Sequence, residues 1–192
     1  MRVRVAAALV AALALSACGS QPAGSAALVG DTRISENDLT AEVEGVLTAQ
    51  GRSPEEASPG LMITTLDRKI TTELVDQLAT REGVQVTQGE IDSVLAIYAE
   101  RAGSAQEFEN YLLDQDVAPA QIPGIIRLNL QVEKLGQILA PGQAADVQSL
   151  AVFQTAAQLS QEIGVEVSPR YGTWDPANLA VGPLPVDLAT SS

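Results

Sequence analysis

"ALVGDTRISENDL", Ala27 to Leu39, is the stretch on which the fold turns. Ala27–Val29 and Thr32–Ile34 are short β-prone runs around Gly30-Asp31, a two-residue turn signal, so the segment predicts a small hairpin. Ser35 follows with Asp38 three residues on, in the manner of a capping box, and Leu39, Val43, Val46 and Leu47 then recur at helical spacing. Strand therefore gives way to helix within a few residues.

Helices continue in series from there. After a loop holding Pro54, Pro59 and Gly60, the residues Met62, Leu66, Ile70, Leu74 and Leu78 line one face of a long helix, which Gly83 stops. "GVQVTQGEID" (Gly83–Asp92) carries a second capping box, Thr87 with Glu90, ahead of Ile91, Val94, Leu95 and Tyr98. Ser104 with Glu107 makes a third, opening a helix with Phe108, Tyr111 and Leu112 on one side. Pro119 suits the first turn of a further helix, along which Ile122, Ile125, Leu128, Val132, Leu135 and Leu139 repeat until Pro141-Gly142. A last helix over 144–163 packs by Val152, Ala156, Leu159 and Ile163, with Gly164 as its stop.

The end of the chain changes character. "VEVSPRYGTWDP" (Val165–Pro176) alternates Val165 and Val167, then brings Tyr171 and Trp174. Strands at both ends of a helical middle predict one small sheet, with Leu28-Val29 beside Val165–Val167. Leu, Val, Ile and Ala carry the hydrophobic content, and aromatics are only 3% of residues, which favours packed helices over an aromatic-rich β-sandwich. The expected fold class is mainly α.

Ahead of the hairpin, Arg2 and Arg4 precede an apolar run from Val5 to Leu15, too short to span a bilayer core of about 30 Å. This reads as an export signal. Leu15-Ser16-Ala17-Cys18 resembles a bacterial lipobox, which implies that Cys18, the single cysteine, becomes an acylated N-terminal residue anchoring the chain to the outer face of the cell membrane. At about 0.8 kcal/mol per buried CH₂, the two chains of a diacylglyceryl group hold where one would not. An ordinary secretory signal cut after Ala12-Leu13-Ala14, leaving Cys18 as a stray thiol, is the alternative. The expected organisation is a signal at 1–17, a lipidated Gly-, Ser- and Ala-rich tether at 18–26, a helical domain at 27–167 and a tail at 168–192.

Without residues 1–17, nine basic residues stand against 24 acidic ones, a net charge of −15. Lys69 and Lys134 are the only lysines, so the clustered cations that nucleic acid requires are absent. The charge favours basic or neutral partners.

Taken in order, "ALVGDTRISENDL", "GVQVTQGEID", "GSAQEFENYLLDQDV" (Gly103–Val117) and "IRLNLQVEKLGQIL" (Ile126–Leu139) resemble the SurA-type N-terminal domain, related in general form to the PrsA foldases and the peptide-binding region of trigger factor. The resemblance covers Ala27 to about Leu139, and more loosely the final helix and strand. It implies an extracytoplasmic chaperone domain that holds unfolded polypeptide on an apolar helical surface, with no cofactor. Foldase relatives carry a parvulin prolyl isomerase domain after the long helix; here that place is taken by one helix and a tail, and the His-bearing pocket of a parvulin has no counterpart in a chain without histidine.

The missing histidine also excludes Ser-His-Asp and Cys-His nucleophiles and HExxH zinc sites. No P-loop, Gly-x-Gly-x-x-Gly or Ser-x-x-Lys sequence occurs. Acid pairs such as Glu55-Glu56 or Asp114 with Asp116 read as a solvated face, since a glycosidase cleft wants aromatic sugar platforms. Catalysis and metal binding are therefore not expected.

For binding, Tyr98, Phe108 and Tyr111 are candidates for a peptide groove or for core between neighbouring helices. Trp174 is a candidate contact for a partner or a clamp on the terminal strands. Three functions follow: a tethered holdase for unfolded or translocating chains, an accessory lipoprotein docking one folded envelope partner, and a reduced prolyl isomerase for which no catalytic constellation exists.

Overall fold

The protein is described by a computed structural model over residues 22–184. Its centre is strand β1 (Ser25–Val29), flanked by β2 (Thr32–Ser35) and by β3 (Val165–Val167), both antiparallel to it. Val29 pairs with Thr32 on one side and Val165 on the other, and Leu28 pairs with Arg33 and Glu166. The expected pairing of the two chain ends is thus present. Gly30 turns the hairpin at φ 57°, a conformation that glycine adopts without strain. Its N–H donates to the Gly164 carbonyl at 2.8 Å, while the Ser168 N–H donates to the Ala26 carbonyl at 2.9 Å, so hydrogen bonds extend beyond the ladder at both ends.

The strand starts earlier than its sequence indicates. Ser25 and Ala26, expected in the tether, are buried in β1 instead, because the bond from Ser168 and the Ser25 hydroxyl bond to the Ala27 carbonyl fix them. Cys18 and the apolar run before it lie outside the described residues.

Six helices follow: α1 (Glu36–Ala49), α2 (Pro59–Arg81), α3 (Gln88–Ala102), α4 (Ala105–Leu113), α5 (Ile122–Leu139) and α6 (Ala145–Ile163). Side chains of Ser35, Ser58, Thr87 and Ser104 accept the backbone N–H three residues on, satisfying an otherwise orphaned donor at each start. Pro59 and Gly60, expected in a loop, form the first turn of α2, where proline lacks only an N–H that would have no helical partner. Pro119 opens a separate 3₁₀ turn, Pro119–Gln121, rather than α5. A helix begun at Pro119 would meet Pro123 in its interior; restarting at Ile122 places Pro123 in the first turn instead.

Two cores result. The first gathers β1 with Leu66, Ile70, Leu74 and Leu78 of α2, Leu135 of α5, and Val152 and Ala156 of α6. The second is smaller, built on Ile91, Val117, Ile122 and Ile126. Helix α5 belongs to both: Ile122 and Ile126 point to the second, Val132 and Leu135 to the first.

Residues 168–184 carry further structure. Strands β4 (Trp174–Asp175) and β5 (Ala180–Val181) pair as a second, two-stranded sheet, and Val181 reaches the first core. The Val181 N–H donates to Asp67 Oδ1 of α2 at 2.6 Å, and burial there pushes the Asp67 carboxyl up. The Trp174 indole N–H donates to the Ser160 hydroxyl of α6 at 3.3 Å. Gly172, at φ 136°, lies so close to the Gly182 carbonyl oxygen that a Cβ there would sit 2.1 Å from it.

A similar approach joins α5 to α6. A Cβ on Gly136 would lie 2.7 Å from Gln148 Cβ and 3.3 Å from the Gln148 backbone carbon. Gly136→Ala is therefore expected to destabilise the protein by about 1–2 kcal/mol through overpacking, although alanine is the better helix former. Thermal unfolding followed by circular dichroism would read this as a midpoint lowered by roughly 3–8 °C; an unchanged or raised midpoint would mean that the two helices separate freely.

Candidate functional site

The second core is only partly covered, and its aromatic residues mark where. Gly103 ends α3 in a left-handed conformation (φ 97°) and Ser104 caps α4, so a two-residue turn brings the end of one helix against the start of the next. That turn places Tyr98 of α3 beside Phe108 of α4, with ring centroids 5.3 Å apart and planes tilted by 40°, within the range of favourable aromatic pairs. Both rings are half-buried against the second core. Tyr111, one turn further along α4, is 63% exposed.

The three aromatics line one groove of about 360 Å³, whose other walls are Leu112, Ile125 and Ile126, with Arg101 and Asn129 supplying the polar groups. Phe108 also lines a smaller hollow of about 220 Å³ with Leu95, Pro119 and Ile122. One ring thus separates two apolar recesses. The structure brings Tyr98, Phe108 and Tyr111 together and leaves Trp174 apart from them, half-buried in β4 on the first core.

Helix α4 has no fully buried residue, so it is held largely by its ends. At its C-terminal end the Gln50 amide of α1 donates to the Leu113 carbonyl (3.1 Å) and to Asp116 Oδ1 (2.9 Å). Arg68 of α2 donates to the Asp116 carbonyl, and Asp116 itself takes a positive φ of 59° to close the turn. Helix α3 is anchored differently. Glu90 receives the Lys134 ammonium of α5 at 2.6 Å together with the Thr87 N–H and hydroxyl, which hold its carboxyl down to about 2. Lys134 donates also to the Gln85 carbonyl, tying the approach to α3 onto α5.

Among the described residues no group of three or more His, Cys, Asp or Glu side chains is placed to hold a metal ion, and no helix is long and apolar enough to cross a membrane. The spacing of Phe108, Tyr111 and Leu112 indicated the face of α4 but not its exposure. Arg101 and Asn129 went unrecognised because nothing in sequence sets them apart from other solvated helix residues. Their signal is spatial only.

The chain is thus a mainly helical domain closed by strands from its two ends, with an aromatic-lined groove on its outlying helices. The SurA-like N-terminal domain family matches residues 3–136, well over half of the chain, and the protein belongs to that family. Its domains are non-catalytic, chaperone-like and peptide-binding, and act outside the cytoplasm. No curated protein and no solved structure matches the chain. The matched span ends inside α5, at Gly136, and α6 and the C-terminal strands lie beyond it.

The Glu90 contact has a signed consequence for stability. Its folded-state pKa lies below the unfolded value of 4.5, so its contribution is complete above that value and is lost as pH falls toward 2. Glu90→Gln is expected to lower the urea midpoint at pH 6 and to flatten the decline between pH 4.5 and 2. Parallel acid limbs for the two proteins would show that the Lys134 contact does not contribute to folding.

Proposed function

We propose that this protein is a membrane-anchored extracytoplasmic lipoprotein that holds unfolded or translocating polypeptides, without catalysis and without a cofactor. The observation that carries the reading is the exposed Tyr111 beside the half-buried Tyr98 and Phe108 in an apolar groove, within a family of peptide-binding domains. Aromatic side chains supply large contact area with few rotors to immobilise, which suits loose recognition of varied chains. A groove of this size takes one or two side chains of an extended segment, and affinity for any single client is expected to be modest. Docking of one folded envelope partner through the same surface is the alternative.

The soluble chain from Gly19 to Ser192, titrated against a chemically denatured client under light scattering, is expected to suppress aggregation near stoichiometric ratio, and to do so for unrelated clients. Tyr111→Ala removes an exposed ring and is expected to weaken suppression several-fold while leaving the unfolding midpoint within about 0.5 kcal/mol. Suppression of none of the clients would refute the holdase reading in favour of a single folded partner.

The anchor is tested separately. In a bacterial host that processes lipoproteins, the full chain is expected to incorporate labelled palmitate and fractionate with membranes, and Cys18→Ala to lose both. Incorporation that persists in the variant would refute acylation at Cys18.

A further inference from the structure

The aromatic groove carries one charged side chain, that of Arg101 in the last turn of α3. Cations in this chain are otherwise largely committed. Of the basic residues described, Arg52, Arg68, Lys69, Arg81, Lys134 and Arg170 are held in ion pairs, and Arg33 donates to the Ala23 carbonyl. Arg127 lies on α5 outside the groove lining. Arg101 has no carboxylate within ion-pair distance among the described residues, although the chain holds 24 acids against 11 bases. No acid lines the groove either; Glu109 lines the smaller hollow that Phe108 separates from it. The last turn of a helix suits a cation through the helix dipole, but that uses none of the guanidinium N–H donors.

More donors stand around it. Tyr98, Tyr111 and Asn129 line the same groove, and their hydroxyls and amide, like the Arg101 guanidinium, make no hydrogen bond to another described residue. Leu112, Ile125 and Ile126 make the rest of the wall apolar. A groove that joins unspent donors, one of them charged, to apolar walls fits a ligand with the matching pair of groups: a carboxylate beside a large apolar side chain. The planar guanidinium suits a carboxylate in particular, because its fork meets both oxygens.

We infer that Arg101 makes the groove selective for polypeptide segments in which a carboxylate adjoins a large apolar side chain. The apolar side chain enters among Tyr98, Phe108 and Ile125, and the carboxylate meets the guanidinium. This rests on the peptide-binding reading above and names the segment that the groove takes. Two sources supply the pairing: the C-terminal residue of a chain, when it is apolar, and an internal Asp or Glu next to an apolar residue. The net charge of −13 opposes acidic segments at a distance, but a chain end brings its carboxylate however basic the residues before it, so the two preferences are compatible.

The test uses the chain from Gly19 to Ser192, which holds every described residue, and four fluorescent eight-residue peptides. Two end in Phe, one as the free acid and one as the amide; two are amidated and carry a central Phe followed by Glu or by Gln. Anisotropy at low salt is expected to give the free acid about fivefold tighter binding than its amide. Arg101→Gln is expected to remove that gain, to leave the amide bound as before and to shift the unfolding midpoint by no more than about 2 °C. Arg101→Lys is expected to keep part of the gain through its charge. A gain in the free acid alone assigns the selectivity to chain ends, one in the Glu peptide alone to side chains, and one in both to carboxylates at large. Equal binding of all four peptides, or a gain that survives Arg101→Gln, would overturn the role of Arg101 and leave the groove standing. Binding of none would overturn the peptide-binding reading with it.

Discussion

Everything in this domain hangs on β1 being paired from both sides by strands that lie far apart in sequence. Val29 meets Thr32 across a two-residue turn, and Val165 only after the whole helical middle has been traversed. Closing a loop of that length costs entropy that grows only slowly with its size, so the ladder together with the core beneath it can offset the cost. The core contribution is direct: Ala26, Ala27 and Val29 are fully buried, and Gln77 of α2 donates to the Val29 carbonyl at 3.1 Å. Because β3 follows α6 immediately, pairing it with β1 also presses α6 onto α2 and α5. Sheet and helical layer therefore form as one unit.

Helix α5 passes that rigidity outward. Its second half is locked between α2 and α6, with Gly136 allowing a close backbone approach; its first half carries Ile122 and Ile126, on which α3 and α4 rest. The groove accordingly has one firm wall and one lightly held wall. With no fully buried residue, α4 sits at the low end of local stability, where segments open without global unfolding. This suits the proposed binding of varied chains, since a wall that gives by small amounts accommodates side chains of different size while the firm side keeps its position.

Much of this was legible in the chain. Capping residues Ser35, Thr87 and Ser104 marked helix starts, the apolar rhythm of α2 and α5 marked their buried faces, and the valines at 165 and 167 identified the strand that closes the sheet. These are local signals, each set by a handful of adjacent residues. What escaped depends on distant atoms meeting. The β4–β5 hairpin has two-residue strands, too short for alternation to show, and it is fixed by Asp67 from α2 and Ser160 from α6. The same holds for Ser25 and Ala26, which look like linker until Ser168 bonds to the Ala26 carbonyl. At the site, the face of α4 was readable but the groove was not, because Arg101 and Asn129 are unremarkable polar residues until folding places them beside Ile125 and Ile126.

Apolar surface and net charge act differently on a client, and the difference bears on the proposed holding of polypeptides by an acidic protein. Apolar contact in the groove is non-directional and insensitive to salt, so on the proposed reading it sets a floor of affinity for exposed aromatic segments. Exposed carboxylates favour basic segments through a field that salt screens within about 8–10 Å, so they matter most near contact. A net charge of −13 extends the same preference over the whole molecule, favouring encounter with basic segments and opposing acidic ones. On the proposed reading, broad capture and a preference for basic segments coexist, because the first rests on apolar contact in the groove and the second on the charge of the whole molecule.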